Sequence, residues 1–428
     1  MSTQTPATTD ESVEEFRQRA RTWIQGNLRL LGADEQHGPS LLHFSEEKER
    51  LDLERDRAIQ RKMFDAGLAG VCFPREYGGL GLSADHQKAL NEELGGYEYP
   101  AVIQIPTFSP CAAVLLDFGT EEQKRAHLPA IFKGEEVWMQ FLSEPSGGSD
   151  VAGALTTAVR DGEDWVLNGS KIWTTGAWFA DWGLCLARTN WDVPKHRGLT
   201  VFILPIRQPG VDVSRIEMLN GNKEFCQEFL TDVRVPDTDR IGEVDGGWTV
   251  GVRWMFHERM LMNSSFVTVP TGSRHSGGAA HGLLDVARDA GRVDDPQARD
   301  LLGEARTLDL VGTHLAPRVG KLVTTGTMSD QAAAIGRLFH GMTNVRTSTI
   351  SFEIAGGIGG AWTDDDGAAA ESGLAFLMRQ TSCIGGGTTE MARNVISERV
   401  LGMPRERSHD PGLPFRDVPR SASSARRA

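Results

Sequence analysis

The strongest constraint on the fold is a change of hydrophobic period partway along the chain. Up to about Lys133 the apolar residues recur at helical spacing, as in Phe16, Ala20, Trp23, Ile24 and Leu28. From about Glu136 to Asp245 the spacing becomes short alternating runs, among them TTAVRDG-EDWVLNGSKIW, GLTVFILPI and CQEFLTDVRVP. From Gly247 to about Leu401 the helical spacing returns, in segments around Trp254–Val267, Gly277–Ala290, Ala298–Val323 and Ser329–Ala355. Such a chain has no βαβ alternation and cannot build a doubly wound dinucleotide-binding sheet. The expected class is α+β, mostly α. It has an N-terminal helical domain (1–135), a central β-barrel-like domain (136–246), a C-terminal four-helix bundle (247–404) and a flexible tail (405–428).

Local signals refine this layout. The run SEEKERLDLERDRAIQRKMFDAG reads as a charged helix capped near Gly67, and the glycine-rich GLAGVCFPREYGGLGLS reads as a shaped loop. The pairs D-G and N-G within the β segment read as turns. Prolines 100, 106 and 110 interrupt the first helical region.

Composition narrows the function. The 428 residues carry a formal charge of −13, which argues against a protein whose main ligand is a nucleic acid. The five cysteines are scattered without a C-x-x-C pair, so neither a zinc site nor a disulfide framework is expected. The N-terminal run lacks a basic segment followed by an apolar one, and no stretch reads as about 18 apolar residues. The expectation is a soluble, cytoplasmic protein with no membrane span and no metal.

Four segments could carry chemistry. Leu142-Ser-Glu-Pro-Ser-Gly-Gly-Ser-Asp150 offers hydroxyls and glycine N–H groups to a phosphate or a polar heterocycle, or is a plain surface turn. Gly169-Ser-Lys-Ile-Trp-Thr-Thr-Gly176 presents an aromatic and two hydroxyls to a flat ring, or packs its Trp in the core. His257-Glu258-Arg259 places a carboxylate among apolar neighbours, where loss of water suits a general base, or forms a structural Glu–Arg pair. Position 261 is Leu, so the H-E-x-x-H zinc motif is absent. Cys383-Ile-Gly-Gly-Gly-Thr-Thr-Glu-Met-Ala-Arg393 gives three glycines ahead of a helix start.

In order along the chain, GLAGVCFPREYGGLGLS, SEPSGGSDVAG, WVLNGSKIWTTGA, FLTDVRVPDTDRIGEVDGGW and GGGTTEMARNVISERVLGMPR resemble the acyl-CoA dehydrogenase family of flavoproteins, over about Phe16 to Pro404. The resemblance implies FAD between the β-domain and the C-terminal helices. It implies flavin contacts from Gln140, Phe141, Leu142, Ser143, Gly148 and Ser149, and from Trp173, Thr174 and Thr175 along the ring. Glu353, Gly356 and Gly357 stand where the family has Gln-x-x-Gly-Gly, and Gly387, Thr388, Thr389 and Glu390 match the pyrophosphate cradle. Ser149, Arg259 and Gly386 fall at substrate-contacting positions.

The implied reaction is α,β-dehydrogenation of an acyl-CoA to the 2-enoyl-CoA, with the α-proton going to a base and the β-hydride to flavin N5. The electrons leave through an electron-transfer flavoprotein. Most members carry the base just before the Gly-Thr of the last motif, where this chain has Gly386. Isovaleryl-type members place it on the first helix after the β-domain, and that position is Glu258. The segment GRVDDPQARDLL replaces the family's usual inter-subunit flavin contacts. Homodimer, homotetramer and mixed oligomer therefore all stay open. Two alternatives remain beside the dehydrogenase: a half-catalytic subunit of a mixed oligomer, and a flavin-dependent oxidase or monooxygenase on the same fold.

Overall fold

A computed structural model describes residues 11–31, 46–260, 264–270, 282–361, 367–405 and 412–419. The N-terminal helices are α1 (Val13–Asn27), α2 (Glu46–Asp65), α3 (Ala84–Glu93), α4 (Ala101–Pro106), α5 (Ala113–Phe118) and α6 (Glu121–Phe132). Helix α1 starts where Ser12 accepts from the Glu15 N–H while the Glu15 carboxylate accepts from Ser12 N. Gly67 follows α2 with φ +65, the left-handed turn that the sequence predicts there. Against the expectation from sequence, one segment, Ala101–Phe118, is long and apolar enough by length and composition to cross a membrane. It is two-thirds buried in this fold and is broken at Ser109, whose backbone is extended.

The next segment forms one mixed sheet: β1 (Trp138–Phe141), β2 (Thr157–Asp161), β3 (Asp164–Thr175), β4 (Trp182–Arg188), β5 (Leu199–Pro205), β6 (Val211–Arg215), β7 (Phe225–Pro236) and β8 (Arg240–Ile241). The order is β6-β7-β3-β2-β4-β5-β8, and β1 adds to β4 in parallel. The D-G signal is a two-residue hairpin turn between β2 and β3. The N-G signal is corrected: Asn168-Gly169 lies inside β3 at a register shift opposite β7. Gly169 runs so close to Thr156 that a Cβ would sit 2.5 Å from its hydroxyl, so glycine there serves packing.

One side of the sheet shares a core with the N-terminal helices and α7 (Gly247–Arg259), through Phe108, Leu128, Trp138, Leu186 and Trp254. The remaining helices are α8 (Leu283–Asp289), α9 (Pro296–Thr324), α10 (Ala333–Ala355), α11 (Gly357–Gly360), α12 (Gly367–Met378) and α13 (Thr389–Val395). They pack chiefly on one another around α10. The expected helix Trp254–Val267 is shorter than its apolar spacing suggests. It ends at Arg259, and Phe266 and Val267 turn back into the core beneath α7. The start of the expected Gly277–Ala290 helix lies outside the described residues.

The expected flexible tail is also corrected in part. Residues 412–419 dock on the β segment, with Phe415 buried and stacked on Trp191 at 5.4 Å. Its Pro-, Ser- and Arg-rich composition hides one aromatic anchor, and one anchor is enough to seat a short segment.

Candidate active site

The first two candidate segments meet. Residues Gln140–Ser143 leave β1 beside the end of β3, where Ile172 N donates to the Ser143 carbonyl at 3.0 Å and the Thr174 hydroxyl donates to the Gln140 carbonyl at 3.2 Å. At this end β3 is irregular. A register shift falls between Ile172 and Thr174, and Trp173 takes φ +66. The shift turns Thr174 inward and leaves Trp173 55% exposed, with Thr175 also exposed. The loop that carries Gly148, Ser149 and Asp150 is exposed alongside. An exposed indole, an exposed threonine and an open glycine loop fit a planar ring with a polar rim.

This shelf is held from beneath. Lys171 is fully buried and its ammonium meets Glu144 at 2.8 Å and the Leu142 carbonyl at 3.2 Å. Glu144 also accepts from the Leu155 and Thr156 N–H groups, at 2.6 and 2.9 Å, so it ties the exit of the loop to its start. Burial alone raises a carboxyl pKa, but the Lys171 charge and these N–H donors hold Glu144 below its ordinary value. Directly across the ladder from Lys171 is Glu228, also fully buried. Its Oε2 accepts from Thr174 at 2.9 Å, and its Oε1 has no partner among the described residues. Burial pushes this carboxyl up to about 7. Sequence reading passed over Glu228, although alternation between buried Cys226 and Leu230 puts position 228 on the inward face.

The third candidate reaches the same region through α7. The Trp254 indole donates to the Gln140 side chain, and Glu258 lies one turn further on that helix face. His257 and Arg253 both bond Asp117 of α5, at 2.9 and 2.6 Å, and the Ser109 hydroxyl donates to the His257 carbonyl. Glu258 is thus the penultimate residue of the helix, not an interior one. Its carboxyl is desolvated near Cys111 and its pKa is raised, only partly offset by Arg259. The C-terminal end of a helix dipole adds in the same direction. No hydrogen bond or ion pair engages the Glu258 carboxylate among the described residues, while Arg259 is exposed.

The remaining candidates belong to the helical bundle. Glu353 sits on α10, its carbonyl accepting from Arg292 at 2.7 Å, and Gly356 (φ +61) and Gly357 follow at the helix end. Gly386 and Gly387 take φ +69 and +98, are exposed, and have open space where a Cβ would stand. Thr388 caps α13 by accepting from Met391 N at 3.0 Å, Thr389 is buried, and exposed Glu390 pairs with Arg393 at 3.2 Å. Among the described residues no hydrogen bond joins these bundle residues to Gln140–Ser149 or Trp173–Thr175, so the structure does not link the two groups directly.

Comparison with known proteins places the fold in a family. Residues 10–135 match the acyl-CoA dehydrogenase N-terminal domain and residues 140–238 the acyl-CoA dehydrogenase middle domain. The chain is 31% identical to acyl-CoA dehydrogenase IpdE1 of Mycobacterium tuberculosis, over 92% of this chain and 99% of that one. Among solved structures it resembles the Tcur3481-Tcur3483 steroid ACAD, with TM-score 0.71 and 27% identity over 93% of this chain and 99% of that one. It also resembles the ChsE4-ChsE5 complex of Mycobacterium tuberculosis, with TM-score 0.67 and 25% identity over 94% and 100%. A helical frame around a mixed sheet, a shelf on β3 and relatives alike over nearly their full length lead to one conclusion: the chain belongs to the acyl-CoA dehydrogenase family of flavoprotein oxidoreductases.

Proposed function

We propose that the chain is an FAD-dependent enzyme that converts an acyl-CoA to its 2-enoyl-CoA, with Glu258 as the base that takes the α-proton. The observation that carries this reading is the Glu258 carboxylate itself: desolvated, raised in pKa and unengaged, on the helix that Trp254 ties to Gln140. Such a group binds a proton readily once substrate has displaced the remaining water. Trp173, Thr174, Thr175 and the Gln140–Ser149 loop would hold the flavin ring, with Gly387, Thr388, Thr389 and Glu390 on its pyrophosphate side. When bound, FAD supplies the acceptor for the β-hydrogen and its electron pair. Ser149 and Arg259 face the CoA moiety in this reading. Gly386 has no side chain to take a proton, but its N–H is free to donate to the thioester carbonyl and acidify the α-carbon. The chain would work in the cytoplasm and pass its electrons to an electron-transfer flavoprotein.

Support for a substrate class comes from two relatives. The likeness to a steroid ACAD, and to a cyclohexane-1-carbonyl-CoA dehydrogenase of Syntrophus aciditrophicus 26% identical over 69% of this chain, favours a bulky, ring-bearing acyl group. The test is an anaerobic visible spectrum of the purified protein before and after adding straight, branched and ring-bearing acyl-CoAs. Bleaching of a bound flavin by one thioester is expected. A flavin that stays oxidised with every thioester overturns the reading.

A second reading has its own support, which is that this chain is one half of a mixed oligomer. Gly386 occupies the usual base position, and Leu310 and Val311 of α9 and Met342 of α10 are exposed apolar residues of the kind a partner covers. Inactivity of the chain alone, rescued by a second dehydrogenase chain, would favour it.

A further inference from the structure

The docked segment 412–419 reaches the candidate site through one side chain. Phe415 is buried against Trp191, and the Arg188 guanidinium lies 3.7 Å from its ring centroid. Backbone bonds fix the register, from Phe415 N to the Val193 carbonyl at 2.9 Å and from Arg416 N to the Trp191 carbonyl at 3.1 Å. The Arg416 side chain adds an ion pair with Asp192. Arg188, wholly buried at the end of β4, then donates to the carbonyls of Ala152 and Ala154 at 2.6 and 3.0 Å and to that of Lys195 at 3.1 Å. Lys195 in turn holds Asp150 at 3.0 Å, next to Ser149. The loop from Ser143 to Thr156 is therefore fastened on two sides, by Glu144 with Lys171 within and by Arg188 with Phe415 without.

We propose that Phe415 is a positioning residue for acyl-CoA binding: the docked tail clamps Arg188, and Arg188 sets the backbone of Val151–Ala154 and with it the Ser149 side of the site. The geometry favours an effect on binding over one on the chemical step. The clamp ends at Ser149 and Asp150, whereas the helix end that carries Glu258 is held separately, through the bonds of His257 to Asp117 and Ser109. A guanidinium sandwiched by an aromatic face keeps one orientation, and removing the ring frees it to turn. The proposal rests on the acyl-CoA reading for its substrate, but the clamp itself does not.

The test compares the full-length protein with Phe415→Ala and with Phe415→Trp, which keeps an aromatic face. Hydrogen–deuterium exchange is read at residues 151–156, and steady-state kinetics are run with the acyl-CoA that bleaches the flavin. Phe415→Ala should exchange faster at 151–156 with the sheet core unchanged. It should also raise KM roughly tenfold with kcat within about twofold. Phe415→Trp should restore both. Opening of 412–419 with unchanged exchange at 151–156 overturns the clamp. Faster exchange with unchanged KM, or a loss confined to kcat, overturns the binding role. If the parent protein turns over no acyl-CoA, the binding claim falls with the proposed activity, and exchange still decides whether Phe415 holds the loop.

Discussion

Lys171 and Glu144 form a 2.8 Å ion pair with both side chains out of water, and Lys171 stands two residues before Trp173 on the same strand. Two ions are removed from water here, and the gain is geometric: the pair ties Leu142, Leu155 and Thr156 to one point. Breaking such a pair from one side leaves a buried charge with no compensation, at a cost of about 3–5 kcal/mol. Lys171→Met should therefore destabilise the protein by that order in urea unfolding. The double variant Lys171→Met/Glu144→Gln should recover part of the loss, because neither ion is then stranded.

Glu258→Gln should keep its fold, its bound flavin and its affinity for acyl-CoA, and lose flavin reduction. A general base contributes on the order of 10²–10⁴-fold, and stopped-flow reduction should fall by at least that range. In the parent enzyme the limiting reduction rate should rise with pH through an apparent pKa above the usual carboxylate value, as Glu258 loses its proton. Reduction at near the parent rate in Glu258→Gln would remove Glu258 from the mechanism.

Glu228 gives the stability curve a definite sign. Its carboxyl titrates near 4.5 when unfolded and at about 7 in the fold. Between these values the native state holds a proton that the unfolded state has lost. The Glu228 contribution is then most favourable below pH 4.5 and declines as pH rises toward 7, by on the order of 3 kcal/mol in all. Glu228→Gln should flatten this decline, so urea midpoints at pH 5 and pH 8 should lie closer together in the variant than in the parent.

Gly386→Glu tests the other base position. The open space around Gly386 admits a side chain, but its φ of +69 does not suit one. The backbone cost is about 1–2 kcal/mol. The variant should fold with a slightly lower melting temperature. Combined with Glu258→Gln, it should fail to restore the parent reduction rate unless the loop changes its backbone.

Much of this was legible in the residues because it depends on local period and turn chemistry. The helix–sheet–helix order follows from the hydrophobic spacing, and the proximity of Gln140–Ser143 to Trp173–Thr175 follows from matching motifs. What escaped is long-range and carried by single side chains. Arg188 reads as the polar end of the strand WGLCLAR, yet it is buried because carbonyls 34 and 36 residues away surround it. Glu228 reads as a polar residue in an alternating strand, although its parity already pointed inward. Phe415 was lost in a tail whose overall composition argued for disorder. The end of α7 at Arg259 was missed because the apolar run continues past it, and periodicity does not say where a helix stops.

The extra residue at Trp173 has a consequence for what this strand can do. Were Trp173 drawn into the ladder instead of left over, this end of β3 would run regularly against β7 from Gly169 onward. That regular pairing would set Trp173 opposite Cys226 and Thr174 opposite Phe225, and so exchange their inward and outward faces. The hydroxyl now bonded to Glu228 would turn to solvent, and the flat aromatic ledge would be gone. A better-ordered ladder and a working surface are mutually exclusive at this position.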